Sequence, residues 1–367
     1  MMPPTPCLLT QCHWLLPLAH SHDRRCRLNE PDAPDTVSGP ATDATRAPAA
    51  GASSEPASSA ISEAVSPTED GAGAIRPSEG STLHYALLWT DAAARARVLD
   101  RLALLETVSR TLDEVQDPGV AERKVHWWHE ELERLRVGEP RHPRTVACAA
   151  SLRGLDEAGA ALLDVLSVAA TTRYTPPVDD AEQRSRLVRD HGARLALLAH
   201  AASGRRGDLV EPDVRSAELA LGLGLHATLA RLPALLHRGH AVFSDAAYAR
   251  HRQTPALLAG RVRRPSDGDA TDVRGDAPDV GAGCAGLLAE QVDTARTAID
   301  SALADADYRR TYARAELAPI ARLAALRARQ LRLWQEQRPD LLRETVTPTP
   351  LVKLYIAWRH RRGARQA

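Results

Sequence analysis

Two acidic residues four positions apart are the first candidates for chemistry in this 367-residue chain. On a helix, Asp113 and Asp117 would share one face, and their carboxylates would hold Mg²⁺ between them. The alternative is helix termination, because Pro118 follows Asp117 directly and an Asp-Pro step commonly ends a helix. Both interpretations stay open on these residues alone.

Histidine pairs and a glycine-containing loop are weaker candidates. His126 with His129, and His237 with His240, have helical spacing, but a zinc site needs a third ligand and the chain contains no HExxH motif. Residues 204–207 read Gly-Arg-Arg-Gly and lack the Lys-Ser/Thr ending of a phosphate-binding loop. We therefore expect neither zinc nor a nucleotide at these positions.

The C-terminal segment is basic. Arg359, Arg361, Arg362 and Arg365 follow one another closely. Arginines in such an arrangement contact anionic lipid headgroups in some proteins, whereas the alternative is a solvated helix end whose cations interact favourably with the helix dipole. The sequence does not decide between these two interpretations.

Composition narrows the class of protein. The chain has 47 basic and 47 acidic side chains, and this balance argues against a nucleic-acid binder that acts through its overall field. No window approaches the roughly 18 apolar residues of a membrane-spanning helix. Five irregularly spaced cysteines exclude a disulfide scaffold and favour a reducing compartment. We expect a cytoplasmic protein, with a peripheral position on the inner face of a membrane as the alternative.

The chain divides into a tail and one domain. Residues 1–80 are rich in Pro, Ala, Ser and Gly and are predicted to be disordered, since they cannot bury enough apolar surface. Their first apolar stretch resembles a signal peptide only weakly, because it lacks a basic start; a plain tail or a misassigned start codon is preferred. Residues 81–363 form the predicted domain, interrupted by a disordered loop over 263–283.

The domain is predicted to be all-α. Apolar residues recur at helical spacing, and stretches rich in Ala, Leu and Arg extend over residues 184–203, 217–236, 287–303 and 308–337. Most prolines fall between such stretches, where helices end, but Pro233 and Pro319 fall inside two of them. We expect these two prolines to kink or split their helices.

Several short segments occur in an order typical of one family. Residues 113–118 read DEVQDP, residues 124–131 read KVHWWHEE, and residues 138–143 read GEPRHP. Further matches are GSTLHYALL at 80–88, TRY at 172–174 and PLVKLYIAWR at 350–359. Together these segments resemble the squalene/phytoene synthase family of head-to-head prenyl transferases, over roughly residues 81–363.

The resemblance implies an isoprenoid synthase-type helical bundle around a central apolar cavity. Members of this family bind two prenyl diphosphates through Mg²⁺ held by two Asp-rich helices, and squalene formation also consumes NADPH. By the same resemblance, the prenyl diphosphate, or another isoprenoid ligand, would be contacted by Ser81, Tyr85, Arg110, Arg173, Tyr174 and Arg238.

The Asp-rich motifs of that family are degenerate in this chain. The first motif, Asp-Asp-x-x-Asp, becomes Ser109 and Arg110 followed by a single remaining carboxylate, Asp113. Glu106 stands where an arginine that contacts phosphate is expected, so the charge is reversed. Val168 replaces the aspartate that precedes the TRY segment.

The second motif has lost both carboxylates. Its two aspartates fall on Arg231 and Leu235, and no acidic residue occurs between Glu218 and Asp245. A small shift of the alignment therefore cannot restore the motif. Residues 229–233, LARLP, also resemble relatives without the aspartates, which act as assembly factors of mitochondrial complex I.

Two hypotheses follow from the resemblance and its departures. In the first, the protein is a non-catalytic prenyl-ligand binding or assembly-type protein, because a diphosphate would be bound by arginines without activation of the leaving group. In the second, it remains a prenyl transferase that makes squalene or phytoene and uses Asp113 and Asp117 as metal ligands. No specific protein partner is indicated by the sequence.

Overall fold

The computed structural model describes residues 77–111, 115, 117–152, 156–204, 214–263, 280–306, 308, 314 and 317–363. Over these ranges the regular secondary structure is helical and contains no strand, so the all-α prediction is confirmed. The predicted tail lies outside the described residues except for its last four positions, 77–80. Asp113 lies outside them too.

Thirteen helices occur in the described ranges. They are α1 (Thr82–Leu87), α2 (Ala92–Arg110), α3 (Pro118–Val137), α4 (Pro143–Leu152), α5 (Asp156–Tyr174), α6 (Asp180–Ser203), α7 (Val214–Ala230), α8 (Leu232–His237), α9 (Asp245–Arg250), α10 (Pro255–Arg263), α11 (Val280–Ala304), α12 (Ala318–Gln337) and α13 (Pro350–Gly363).

The bundle is organised around α7. This helix packs against α6 on one side and α11 on the other, α11 packs on α12, and α6 packs on both α2 and α5. The short helix α1 lies against α12, and α13 lies against both α12 and α1. A continuous core of leucine, alanine and valine side chains connects these helices. None of the helices in the described ranges has the length and apolarity needed to cross a membrane.

Two glycines allow α7 to approach both of its neighbours. A Cβ at Gly222 would lie 2.4 Å from Cγ1 of Ile299 and 2.8 Å from the carbonyl oxygen of Ala295 on α11. A Cβ at Gly224 would lie 3.0 Å from Nδ1 of His191 on α6. Residues two positions apart on a helix point in nearly opposite directions. Glycine at both positions therefore lets α7 fit closely between α6 and α11.

Helix boundaries follow from capping side chains. Asp117 precedes α3 and accepts a 2.8 Å hydrogen bond from the N–H of Val120, with Pro118 at the first helical position. Asp179 caps α6 in the same way, and Gly204 ends that helix in the left-handed conformation at φ 65°. The glycine loop at 204–207 thus begins as a helix C-cap.

Both internal prolines interrupt their predicted helices. Pro233 lies in the first turn of α8, and the chain turns at Arg231 between α7 and α8. Pro319 lies in the first turn of α12, which begins at Ala318 instead of at residue 308. Proline lacks the N–H that a helix interior needs but is tolerated in a first turn. The prediction that these prolines split the helices is confirmed.

The predicted loop over 263–283 extends too far at its C-terminal end, because α11 already begins at Val280. A Cβ at Gly283 would lie 2.5 Å from both Nε2 of Gln253 and the carbonyl oxygen of His251. Gly283 therefore allows close packing of α11 against the turn between α9 and α10, although in the sequence it resembles a helix breaker.

Glu131 fixes the turn between α3 and α4. Its buried carboxylate accepts hydrogen bonds from the N–H groups of Arg141 and His142, both at 2.8 Å, from the Thr145 hydroxyl, and from Nε of Arg134 at 2.9 Å. Burial acts to raise its pKa, but the hydrogen bonds from Thr145, His142 and the two arginines outweigh this and hold the pKa at about 2. The family-like segments at 124–131 and 138–143 therefore hold two helices together.

Candidate functional site

A cavity of about 390 Å³ lies inside the bundle. Residues of α1, α2, α5, α6, α7, α8 and α12 form its walls. Much of the wall is apolar, with leucines contributed from several helices: Leu83, Leu102, Leu195, Leu198, Leu223 and Leu323. The volume falls within the range of small-molecule binding sites, and such a lining suits a hydrocarbon chain.

The degenerate motif positions meet at this cavity. Glu106 and Ser109 line it from α2, Val168 from α5, Arg231 from the turn after α7, and Leu235 from α8. These residues come from three separate segments of the chain, yet all five lie on the walls of one chamber. The fold thus brings together five of the positions at which the resemblance implies charge chemistry, whereas Arg110 is not among the described lining residues.

A row of polar residues on α6 also faces the cavity, and the sequence analysis missed it. Arg186, Asp190 and Arg194 recur at intervals of four residues, and His191 lies beside them. The spacing was visible in the sequence, but alternating charges at this interval also occur on solvent-exposed helix faces. Packing of α6 against α7 turns this row inward.

Arg194 connects this row to the first motif position. Its Nη2 donates a 2.6 Å hydrogen bond to the Ser109 hydroxyl, which in turn donates to the carbonyl oxygen of Leu105 at 2.7 Å. Nε of Arg194 also donates to the Asp190 carboxylate, at 2.9 and 3.0 Å from its two oxygens. A guanidinium group is thus held between two helices beside Ser109, the position at which the resemblance implies a carboxylate.

The electrostatics of Asp190 follow from this contact. Burial acts to raise the pKa of its carboxyl, but Arg194, and to a lesser extent His191, lower it to about 2. Asp190 is therefore ionised at neutral pH and its charge is balanced by Arg194. Glu106, the other carboxylate among the described lining residues, forms an ion pair of 2.5 Å with Arg110.

The rest of the polar wall carries cations and a neutral imidazole. Arg186, Arg194, Arg231 and Arg327 line the cavity, so arginines outnumber the two described lining carboxylates. His226 stacks on Trp334 with ring centroids 5.0 Å apart, and its Nε2 lies 3.0 Å from Oε1 of Gln330. Burial, and then the charge of Arg327, lower the pKa of His226 well below its usual value, so its ring is neutral at pH 7.

The described residues do not form a magnesium site. Within the described ranges, no group of three or more His, Cys, Asp or Glu residues is arranged to hold a metal ion. Asp190 and Glu106 are each bound to an arginine, and Asp117 is an exposed N-cap of α3. This donor set does not suit the Mg²⁺ ions that the resemblance implies, because hard cations need several oxygen ligands that are not already neutralised.

Three other predicted binding residues, Ser81, Tyr85 and Arg238, are not among the described residues that line the cavity. Ser81 is buried and its hydroxyl caps α1 through the N–H of His84, while Tyr85 packs edge-to-face on the His84 ring. Among the described α1 residues, Thr82 and Leu83 line the cavity. Arg238 is exposed at the end of α8.

Two further predicted residues are described only in their backbone. Arg173 and Tyr174 form the C-terminal end of α5, and their side chains lie outside the described part. The contribution of these two side chains to the site stays a prediction.

The fold resembles that of a solved structure described as a crystal structure of a dehydrosqualene synthase in complex with ligand. The TM-score is 0.55 at 12% sequence identity, over 79% of this chain and 93% of that chain. At this identity the likeness shows the fold alone, an all-α isoprenoid synthase-type bundle. No protein-family profile matches the chain, and no curated protein matches it in sequence.

Proposed function

We propose that this chain is a prenyl-ligand binding protein on an isoprenoid synthase-type fold, related to squalene/phytoene synthases, with impaired or lost Mg²⁺-dependent condensation. The observation that carries the proposal is the excess of cations on the cavity wall, which four arginines and two carboxylates line among the described residues. Guanidinium groups bind phosphate oxygens directly through paired N–H donors. A diphosphate or similar anionic head group would therefore be held by arginines without a metal ion.

The apolar part of the cavity supports an isoprenoid as the ligand. Leucines of α2, α6, α7 and α12 would surround its hydrocarbon chain. Burial of such a chain contributes about 0.8 kcal/mol for each CH₂ group. The same cavity thus offers an apolar wall for the chain and a basic wall for the head group.

Loss of the carboxylates argues against turnover. Departure of a diphosphate requires stabilisation of the charge that develops on it, which the metal ions of such enzymes supply. Arginines that bind the intact ligand equally well stabilise the ground state and leave the barrier unchanged. We therefore propose a binding or assembly-type role, in which the loaded cavity, and not a released hydrocarbon, is the functional state.

The alternative is an active prenyl transferase that produces squalene or phytoene. It would use Asp113 and Asp117 as Mg²⁺ ligands, and NADPH if squalene is formed. The N-capping contact of Asp117 counts against it, since that carboxylate already accepts a backbone hydrogen bond. Incubation with labelled farnesyl or geranylgeranyl diphosphate, Mg²⁺ and NADPH would test it. Hydrocarbon product that disappears in Asp113→Ala would overturn the binding-only proposal.

Thermal-shift titration tests the binding proposal. We expect farnesyl or geranylgeranyl diphosphate to stabilise the protein equally in EDTA and in Mg²⁺, because ligand binding to the folded state raises its stability. Arg327→Gln should weaken this stabilisation, since Arg327 lines the cavity. Arg329→Gln, two residues further along α12 but not among the described lining residues, is the matched control. Stabilisation that requires Mg²⁺, or none with either ligand, would contradict the proposal.

A further inference from the structure

The outer face of α13 exposes a stripe of apolar and aromatic side chains. Leu351 is 78% exposed, Leu354 40%, Tyr355 57% and Trp358 37%. They occur at spacings of three, four and seven residues, so they lie along one face of the helix. Large exposed apolar residues that cluster in this way mark interaction surfaces more often than isolated ones do.

The opposite face fixes the orientation of α13. Lys353 is buried and its Nζ donates a 3.0 Å hydrogen bond to the carbonyl oxygen of Gly80, and Ala357 is fully buried. Near the end of the helix, the Arg361 guanidinium lies 5.6 Å from the centre of the Trp89 ring. These contacts with residues that flank α1, together with the packing of α13 on α12, direct the stripe away from the bundle.

Charge along α13 is of one sign. Residues 350–363 contain no acidic side chain, and Arg359, Arg361 and Arg362 follow the apolar stripe. Arg359 is exposed, next to Trp358 in the sequence. Apolar and aromatic residues followed by arginines on one helix are typical of segments that lie in the interface of anionic membranes.

We propose that the outer face of α13 docks on an anionic phospholipid bilayer, with the helix parallel to the surface. The leucines would enter the boundary of the acyl chains, Tyr355 and Trp358 would lie at headgroup level, and Arg359 would contact lipid phosphates. A symmetric pairing with α13 of a second copy fits this surface less well, because that helix would bring no carboxylate to the arginines. A bilayer containing anionic lipid supplies that charge.

The proposed docking surface lies near the cavity in which an isoprenoid ligand is proposed to bind. Helices α1 and α12, on which α13 lies, both contribute to the wall of the cavity. Docking through the outer face of α13 would therefore leave only this helix between α1 and α12 and the bilayer. The docking proposal does not depend on this, since it rests on the exposed stripe and its charge.

Co-sedimentation with vesicles tests the docking surface. Vesicles of phosphatidylcholine alone are compared with vesicles of equal parts phosphatidylcholine and phosphatidylglycerol. We expect binding to the anionic vesicles that falls about ten-fold in Leu354→Ser, because an apolar side chain no longer enters the interface. Leu257→Ser on α10 is the matched control, since Leu257 is 43% exposed, close to the 40% of Leu354. It should bind as the unchanged protein does.

A charge-reversal variant provides the second test in the vesicle experiment. Arg359→Glu should weaken binding to anionic vesicles about thirty-fold, because it exchanges one attraction for one repulsion. Arg123→Glu, an exposed position on α3, is its control. Equal binding to both vesicle types, no binding to either, or equal loss in Leu257→Ser would overturn the proposal. So would a concentration-dependent dimer, seen by light scattering, that Leu354→Ser dissociates.

Discussion

The guanidinium of Arg194 on α6 and the hydroxyl of Ser109 on α2 are joined by a hydrogen bond of 2.6 Å. This contact explains how the bundle tolerates a basic side chain at the cavity wall. Arg194 gains a second partner in Asp190, one turn earlier on its own helix. A carboxylate from α6 thus balances the cation, in a region where the resemblance of the sequence to squalene/phytoene synthases implies carboxylates that hold metal ions.

Removal of the Ser109 hydroxyl should destabilise the protein. Ser109→Ala leaves Nη2 of Arg194 without this acceptor on a largely buried wall, and such a loss costs about 1–2 kcal/mol. The free energy of unfolding in urea would measure the effect. Ser167→Ala, at an exposed position on α5, should leave it within about 0.5 kcal/mol of the unchanged protein. Equal stability of the two variants would contradict the structural role of the contact.

Alanine substitutions at two glycines should have opposite effects on stability, because only one of the glycines lies in the close contact between α7 and α11. Gly222→Ala should lower the free energy of unfolding by about 2 kcal/mol, because its Cβ meets Ile299 and the backbone of Ala295. Gly159→Ala on α5 should raise it by about 0.5–1 kcal/mol, since a Cβ there meets nothing within 4 Å and alanine favours helix. Thermal unfolding of both variants is a direct comparison; a stabilised Gly222→Ala would disprove the close packing.

Acid should remove the stabilisation that Glu131 provides. Its pKa in the folded state is about 2, against an ordinary value of 4.5. A carboxyl group with a depressed pKa contributes its full stabilisation at pH values above its pKa in the unfolded chain. This contribution is lost as the pH falls from about 4.5 towards 2. Glu131→Gln should therefore lose up to about 3 kcal/mol at neutral pH and show a weaker decline in acid. Denaturant unfolding across this pH range is the measurement.

Glu133→Gln is the control for this experiment. Glu133 also pairs with an arginine, Arg136, but on the exposed side of α3. Glu133→Gln should lower the stability at neutral pH less than Glu131→Gln does. It should also change the slope of the acid decline less. An identical pH profile for the two variants would show that Glu131 does not control the α3–α4 turn.

Filling the cavity should weaken ligand binding strongly and leave the fold intact. Ala227 lines the chamber from α7, and Ala227→Phe would occupy the space of roughly one isoprene unit. Loss of about five buried carbon groups, at about 0.8 kcal/mol each, should weaken binding of farnesyl diphosphate on the order of a thousand-fold. Isothermal titration in EDTA would measure it, with Ala289→Phe on the exposed side of α11 as control. Undiminished affinity in Ala227→Phe would place the ligand elsewhere.

The helices could be predicted from sequence, since they depend on local periodicity. The meeting of five motif positions at one cavity is a tertiary feature, which the sequence suggested only through its resemblance to a family. The charged row of Arg186, Asp190 and Arg194 could not be predicted. Its spacing also suits a solvated helix face, and it turns inward only because α7 packs against the same helix through Gly224. Likewise, the glycines at the start of α11 resemble a loop in sequence. Their lack of a side chain lets the helix pass close to His251 and Gln253, and this close approach is not visible in the sequence.

The paired glycines of α7 have one further consequence. Gly222 and Gly224 bring α7 close to neighbours on opposite sides, while Leu223, His226, Ala227 and Ala230 line the cavity. A helix packed closely on both sides has little room to roll or shift. The chamber is therefore preorganised, so little ordering entropy is lost when it fills. Evolution of a new selectivity would proceed by exchanging the facing side chains while the backbone stays in place.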